Sequence, residues 1–274
     1  MTLGAKRDRG GGFTGETASP APAVRFAGLR FHPVDVDEAL RILTERPSGA
    51  AFSAFVTPNA EHVLLRRKDA EFAACGDTCL LSSNDSRILL AAARLGGLDL
   101  KFAPGAHVVD RLFKDHIDPD TAISVIGGTP EVIEALRVQF GLTRLFHHNP
   151  PMGFINMPEA VAEAVAFVVA NPAQYVMVAM GPPQSEKFCQ RVIAAGGATG
   201  IGLCIGSSIN VLTGHSQAAP DWVEGSGTVW LYRLMREPRR LWKRYLVRGM
   251  QGLAIALVDA ARLRLGLRKA ADVG

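Results

Sequence analysis

No uninterrupted apolar run of eighteen residues occurs in this chain, so no transmembrane helix is expected. The first twenty or so residues have no apolar stretch and are rich in Gly, Ser, Thr and Pro. That composition excludes a secretory signal and predicts a disordered tail over residues 1–23. Cysteine is scarce. Cys75, Cys79, Cys189 and Cys204 are scattered and match no zinc spacing, so they are expected to be reduced thiols in a cytosolic core. The seven histidines show no metal-ligand spacing. The adjacent His147 and His148 would point to opposite faces of a strand. No strand-end loop carries a paired-acid Asp-x-Asp, so no motif argues for a metal or other cofactor. Internal repeats are also absent.

What the chain does contain is alternation. From about residue 24 to 206, short β-branched runs alternate with longer segments of 3.6-residue periodicity. Strands are predicted over Ala51–Val56, Thr78–Ser82, Ile123–Ile126, Leu142–Phe146, Tyr175–Met180 and Ile201–Ile205. Helices are predicted over Val36–Glu45, Ala60–Ala74, Arg87–Leu95, His107–His116, Pro130–Phe140, Pro158–Val169 and Gln184–Ala194. Thr129-Pro130-Glu131 has the form of a helix start: a hydroxyl cap, Pro at the first position and an acid in the first turn. This spacing predicts an α/β core over 24–228, a Rossmann-like, mostly parallel sheet with helices on both faces.

After Gly225-Ser226-Gly227 the character changes. From Leu231 onward eleven Lys and Arg face three acids, a net of +8, so residues 1–230 sum to −4 against a whole-chain charge of +4. A helix is expected near Val229, with a break at Pro238 and a continuation toward Gly266. Apolar residues from Leu241 to Leu263 return at helical intervals beside Arg240, Lys243, Arg244 and Arg248. This 229–274 appendage fits a basic amphipathic membrane-surface helix, or a core-docked helix with a solvated cationic face. Loose packing on the body is expected for it.

In open parallel sheets, ligands bind beyond the carboxyl ends of the strands. Each predicted strand here ends in Gly, Pro or small polar residues, which suit close approach to phosphate. Gly127, Gly128 and Thr129 follow one strand, and Gly181, Gln184 and Glu186 follow another. Six such loops on one rim point to a nucleotide or phosphosugar site. Asp85 is the sole acid in the early strand-end loops. It is a candidate general base toward a sugar hydroxyl, or a cap for the helix Arg87–Leu95.

Taken together, several segments resemble the WecG/TagA/CpsF glycosyltransferase family. They are Val56-Thr57-Pro58-Asn59-Ala60-Glu61-His62, Val125-Ile126-Gly127-Gly128-Thr129-Pro130, Asn149-Pro150-Pro151-Met152-Gly153-Phe154, and the stretch from Trp230 to Leu246 with its Glu237-Pro238-Arg239-Arg240-Leu241 centre. The resemblance spans about residues 27–248. It implies transfer of a sugar from a UDP-sugar to an undecaprenyl-diphosphate-linked sugar, in exopolysaccharide or other surface-polysaccharide assembly. The enzyme would sit in the cytoplasm, peripheral on the inner face of the plasma membrane. Thr57 and Asn59 match the family's Thr-x-Asn near the catalytic centre, and Asp85 matches its proposed base. Arg233, Arg236, Arg239 and Arg240 correspond to the part that closes over the donor diphosphate. Arg240, Lys243, Arg244 and Arg248 correspond to the membrane-facing part.

The sequence departs from the family pattern at His107, Ser185, Asn210, Ala218 and Val229, which leaves open a catalytically impaired, nucleotide-sugar-binding relative. A nucleic-acid binder is disfavoured by the acidic body and the lack of a recognition motif. Homo-oligomerisation is left open.

Overall fold

The computed structural model describes residues 20–217, 219–220, 222–223 and 228–267, together with the backbone of 272–273. Residues 1–19 of the expected tail, and Ala218, lie outside the described residues. The chain opens on a hairpin, β1 (Ala23–Phe26) and β2 (Leu29–Phe31). Its tip, Ala27-Gly28, takes positive φ at both residues, the conformation of a two-residue turn matched to strand twist. The backbone of β9 (Asp272–Val273) pairs antiparallel with β1.

Six parallel strands make the main sheet, in the order β4-β3-β8-β7-β5-β6. They are β3 (Ser53–Val56), β4 (Leu81–Ser82), β5 (Ile123–Ile126), β6 (Leu145–His148), β7 (Tyr175–Val178) and β8 (Ile201–Cys204). β5, β7 and β8 are buried throughout, which is why they read as near-continuous apolar runs, with Ser124 the one polar side chain among them. One face carries α1 (Val36–Thr44), α5 (Gly105–Asp115), α6 (Pro130–Phe140) and α9 (Ser208–Leu212), packed on Phe55, Val125, Met177 and Leu203. The other carries α3 (Ala70–Thr78), α7 (Pro158–Ala170) and α8 (Gln184–Ala195), packed on Ala54, Val56, Val176 and Val178. The fold is the expected α/β, Rossmann-like sheet covered on both faces.

Some boundaries differ from expectation for local reasons. The segment read as one helix over 60–74 is two, α2 (Ala60–Lys68) and α3. The break is Asp69, which leaves the helical region (φ −137°, ψ 106°) and caps α3 by accepting from the Phe72 N–H. Because α3 runs to Thr78, β4 keeps only two residues. Thr129 occupies the N-cap of α6 without a side-chain capping bond. All four cysteines are free and buried, and burial pushes the Cys79 thiol up to about 12.

The appendage departs most from expectation. α10 (Val229–Arg236), α11 (Pro238–Trp242) and a π-helical segment (Lys243–Gly249) lead into α12 (Met250–Arg264). α12 is not loosely packed. Together with the hairpin and α4 (Arg87–Leu95) it forms a third hydrophobic layer, with Ala256 and Ala260 against Val63, Leu89 and Ala93. Gly252, Ala256 and Ala260 recur every four residues and so share one face. A Cβ at Gly252 would collide with the Ala60 carbonyl oxygen. Asp259 accepts from the Ala27 N–H at 2.7 Å, joining α12 to the hairpin tip.

Gly252→Ala is therefore expected to cost about 3 kcal/mol through overpacking against backbone that cannot retreat. Gly49→Ala, at a site open to solvent, is expected to change stability little. Urea denaturation of both variants checks the difference.

Candidate functional site

The hairpin matters to function because it fixes the end of β4. Ser82 donates its N–H to His32 Nδ1 at 2.9 Å, and the His32 N–H returns to Ser82 O at 2.8 Å. Burial and the neighbouring Arg30 push His32 down to about 4, so it stays a neutral acceptor. Ser83 then bonds back to Val56 O (3.0 Å) and forward, through its hydroxyl, to Ala103 O (2.7 Å). The Asp85 N–H donates to Pro58 O at 3.1 Å. A two-residue strand could not orient this loop alone; bonds to β2, β3 and the entrance to α5 do so.

Asp85 does not cap α4. Ser86 does, accepting the Leu89 N–H at 3.2 Å, while Asn84 accepts the Ser86 N–H. The Asp85 carboxyl is thus released from a structural task. It faces a cavity of about 270 Å³ that it shares with Asn59, Arg87, His107, Arg233 and Arg244. Burial pushes Asp85 up to about 6, against the opposing pull of Arg233, His62, Arg244 and His107. A carboxylate in that range is ionised at neutral pH yet basic enough to accept a proton in a transition state.

The cavity lies beyond the ends of β3, β4 and β8, and the C-terminal segment roofs it. Trp230 and Tyr245 meet edge-to-face in the roof at 6.4 Å. Arg87 stacks over Phe102 at 4.4 Å on the lining. The roof is tied down by Glu61, in the first turn of α2, whose side chain is 4% exposed. Arg248 donates to its Oε1 at 2.6 Å. Arg244 Nε lies 2.6 Å from its Oε2 but off the hydrogen-bonding axis, so that contact is coulombic.

The expected residues are only partly brought together. Asp85, Asn59, Arg233 and Arg244 share the cavity. Thr57 is buried one layer behind, against the first turn of α5, where a Cβ on Gly105 would lie 3.1 Å from its hydroxyl. Convergence of six loops narrows, among the described residues, to three. Gly127 and Gly128, both at positive φ, pack against Ala179, Met180 and Ile209 further along the rim, with Thr129 beside them. Gly181 and Gln184 lie at the end of β7, outside the lining. Glu186 is buried in α8, paired with His62 at 3.3 Å and accepting from Ser185 at 2.8 Å.

Arg236, Arg239, Arg240 and Lys243 are exposed, and Arg240 pairs with Glu237. Arg244 and Arg248, expected to face a membrane, instead hold Glu61. Sequence reasoning gave no role to Glu61, Arg87, Phe102 or the His62–Glu186 pair. The Glu61 contacts join positions as far as 187 residues apart, and no local pattern carries them. Among the described residues no cluster could hold a metal ion, and no helix is long and apolar enough to cross a membrane.

Comparison with protein-family models matches residues 24–266 to the family described as Glycosyl transferase WecG/TagA/CpsF family.

The raised Asp85 has a consequence for stability. A carboxyl whose folded-state pKa exceeds its unfolded value costs stability once ionised. That cost is absent below about pH 4 and fully present above about pH 6. Asp85→Asn should therefore stabilise the protein at pH 7.5 by about 1–2 kcal/mol, allowing for water reaching the partly open carboxyl, and change nothing near pH 4. Denaturant midpoints at the two pH values check this. Arg233→Gln should raise the Asp85 midpoint followed by carboxyl carbon NMR.

Proposed function

The chain belongs to the WecG/TagA/CpsF glycosyltransferase family, and from that premise we propose that it moves a sugar from a UDP-sugar to an undecaprenyl-diphosphate-linked sugar in surface or exopolysaccharide biosynthesis. One observation carries the chemistry: a carboxyl freed from capping, pushed up to about 6 and walled by arginines. Asp85 takes the proton of the acceptor hydroxyl as that oxygen attacks the anomeric carbon. The bond from that carbon to the UDP oxygen breaks on the opposite side, so configuration inverts. UDP leaves as the dianionic end of the broken bond, and Arg233 and Arg244 offset its charge.

A cavity of about 270 Å³ is small for a whole nucleotide sugar, since drug-sized ligands fill roughly 300–1,000 Å³. The reacting sugar and its phosphates would fill it. The nucleoside would extend along the rim toward Gly127, Gly128 and Gly181. Asn59 offers a side-chain donor to the reacting oxygens.

The acceptor is lipid-borne, and the exposed face of the appendage suits an anionic inner leaflet. Met235, Trp242 and Leu246 are exposed beside Arg239, Arg240 and Lys243. Each cation near such a surface contributes on the order of 1 kcal/mol, and partial apolar insertion adds to it.

A panel of UDP-sugars offered with a short-chain lipid-diphosphate-glucose acceptor, read by mass spectrometry, tests the activity. Transfer is expected with at least one donor, lowered about 10²–10⁴-fold in Asp85→Asn. Binding of a UDP-sugar without any transfer would instead identify an impaired relative, a reading the histidine at 107 on the cavity wall would then explain. Attachment is tested by cosedimentation with anionic vesicles. Truncation at Val229 is unsuitable because α12 is part of the core. Wild type is expected to bind at low salt and release at high salt, and a Trp242→Ser/Leu246→Ser variant to bind several-fold less. Equal binding by that variant would remove this face as the anchor.

A further inference from the structure

Two buried polar residues outside the cavity have no role in the transfer described above. His62, in the first turn of α2, and Glu186, in the first turn of α8, lie 124 positions apart in sequence. Their side chains are only 5% and 4% exposed and meet at 3.3 Å. Burying an ionisable pair is costly, and apolar residues of similar size would often be as stable there. Ser185 donates to the second Glu186 oxygen at 2.8 Å, so the carboxylate is fixed at both ends. Phe72 packs on the imidazole at 5.5 Å.

With Nε2 committed to Glu186, the other ring nitrogen faces Asn59. Nδ1 lies 3.3 Å from the Asn59 backbone N and 3.0 Å from Asn59 Oδ1. Either protonation state of Nδ1 engages Asn59: bare, it accepts the backbone N–H; protonated, it donates to Oδ1. Asn59 Oδ1 also accepts the Glu61 N–H at 3.0 Å. The oxygen of the amide is therefore held against the backbone. With the oxygen so held, the NH2 group is the part of the amide left for the cavity whose lining Asn59 shares with Asp85.

We infer that Glu186 and His62 are positioning residues for the transfer reaction, holding the Asn59 amide with its N–H donors aimed at the reacting oxygens beside Asp85. This rests on the reading of the cavity as a sugar-transfer site. The pair touches no substrate; it acts through Asn59. It also places His62 among the groups that lower Asp85, together with Arg233, Arg244 and His107. A small displacement of a positioned donor costs as much as 10²-fold in rate.

The experiment uses the full chain with the variants His62→Gln, Glu186→Gln, Asn59→Ala and the double variant His62→Gln/Asn59→Ala. In the transfer assay, His62→Gln and Glu186→Gln are expected to lower kcat about 10–100-fold while both KM values stay within about twofold. The double variant is expected to be no slower than Asn59→Ala alone, because His62 acts through Asn59. Wild-type kcat in both single variants, or fully additive losses in the double variant, would overturn the inference. A second measurement needs no turnover. In protein labelled with 15N-asparagine, the Asn59 side-chain amide resonance should shift or broaden in His62→Gln and Glu186→Gln, while that of Asn84 stays in place. An unmoved Asn59 resonance in both would overturn the inference even if activity fell. If wild type transfers no sugar from any donor, the proposed function fails, and the resonance alone decides whether the pair positions Asn59. If His62→Gln does not fold, Glu186→Gln, which keeps the side-chain shape, gives both readouts.

Discussion

The buried carboxylate of Glu61 is the interaction on which the rest of the site depends. It stands in the first turn of α2, directly beyond the end of β3, and is held between Arg244 and Arg248 from the far end of the chain. A carboxylate so buried needs partners, and removing one side of such a pair costs about 3–5 kcal/mol. Its cations come from the π-helical segment, so neutralising Glu61 and roofing the cavity are one event. The close approach of α12 at Gly252 makes that geometry rigid, because the helix axis is set by backbone contact with Ala60 rather than by flexible side chains. The C-terminal segment is thus both wall and brace. Its basic character is divided: Arg244 and Arg248 face inward to an acid, while Arg239, Arg240 and Lys243 face solvent.

The same division sets the electrostatics around Asp85. Four cationic or potentially cationic neighbours pull it down, yet burial outweighs them and leaves it near 6. Arg244, one of those neighbours, is also paired with Glu61. The roof, through Arg233 and Arg244, therefore lowers Asp85 against the opposing effect of burial, and Asp85 bears a stability cost in its ionised form that a purely structural residue would not.

Much of the fold was legible in sequence wherever a local signal was strong. The run Ile123–Ile126, the helix Arg87–Leu95 and the helix Pro130–Phe140 were placed at their observed bounds, from a short β-branched run in the first case and helical periodicity in the others. The break at Asp69 was missed because the charged run Arg66–Asp69 holds no Gly or Pro to announce it; only the capping of α3 reveals it. The docking of α12 was missed because its signal is absence of bulk at Gly252, Ala256 and Ala260, which does not announce a partner. Asp85 stood out as the one acid in the early loops, but its competing role as a cap was settled only by Ser86 taking the cap. Thr57 and Glu186 carried motif signals and are buried outside the cavity lining, because a motif records which residues recur together and not which of them reach the cavity. The pairings of Glu61 with Arg248 and of His62 with Glu186 join residues more than a hundred positions apart, and no one-dimensional pattern carries them.

The proposed sugar transfer takes place at Asp85, beneath the C-terminal roof. The most direct measurement is a crystal structure of Asp85→Asn with an unreacted UDP-sugar and a short-chain lipid-diphosphate acceptor. Transfer at this site requires the acceptor hydroxyl within hydrogen-bond reach of residue 85, about 2.6–3.2 Å, the anomeric carbon about 3–3.5 Å from that hydroxyl, and the donor diphosphate against Arg233 and Arg244. Substrates bound outside this cavity, or a reacting pair assembled out of reach of residue 85, would contradict it.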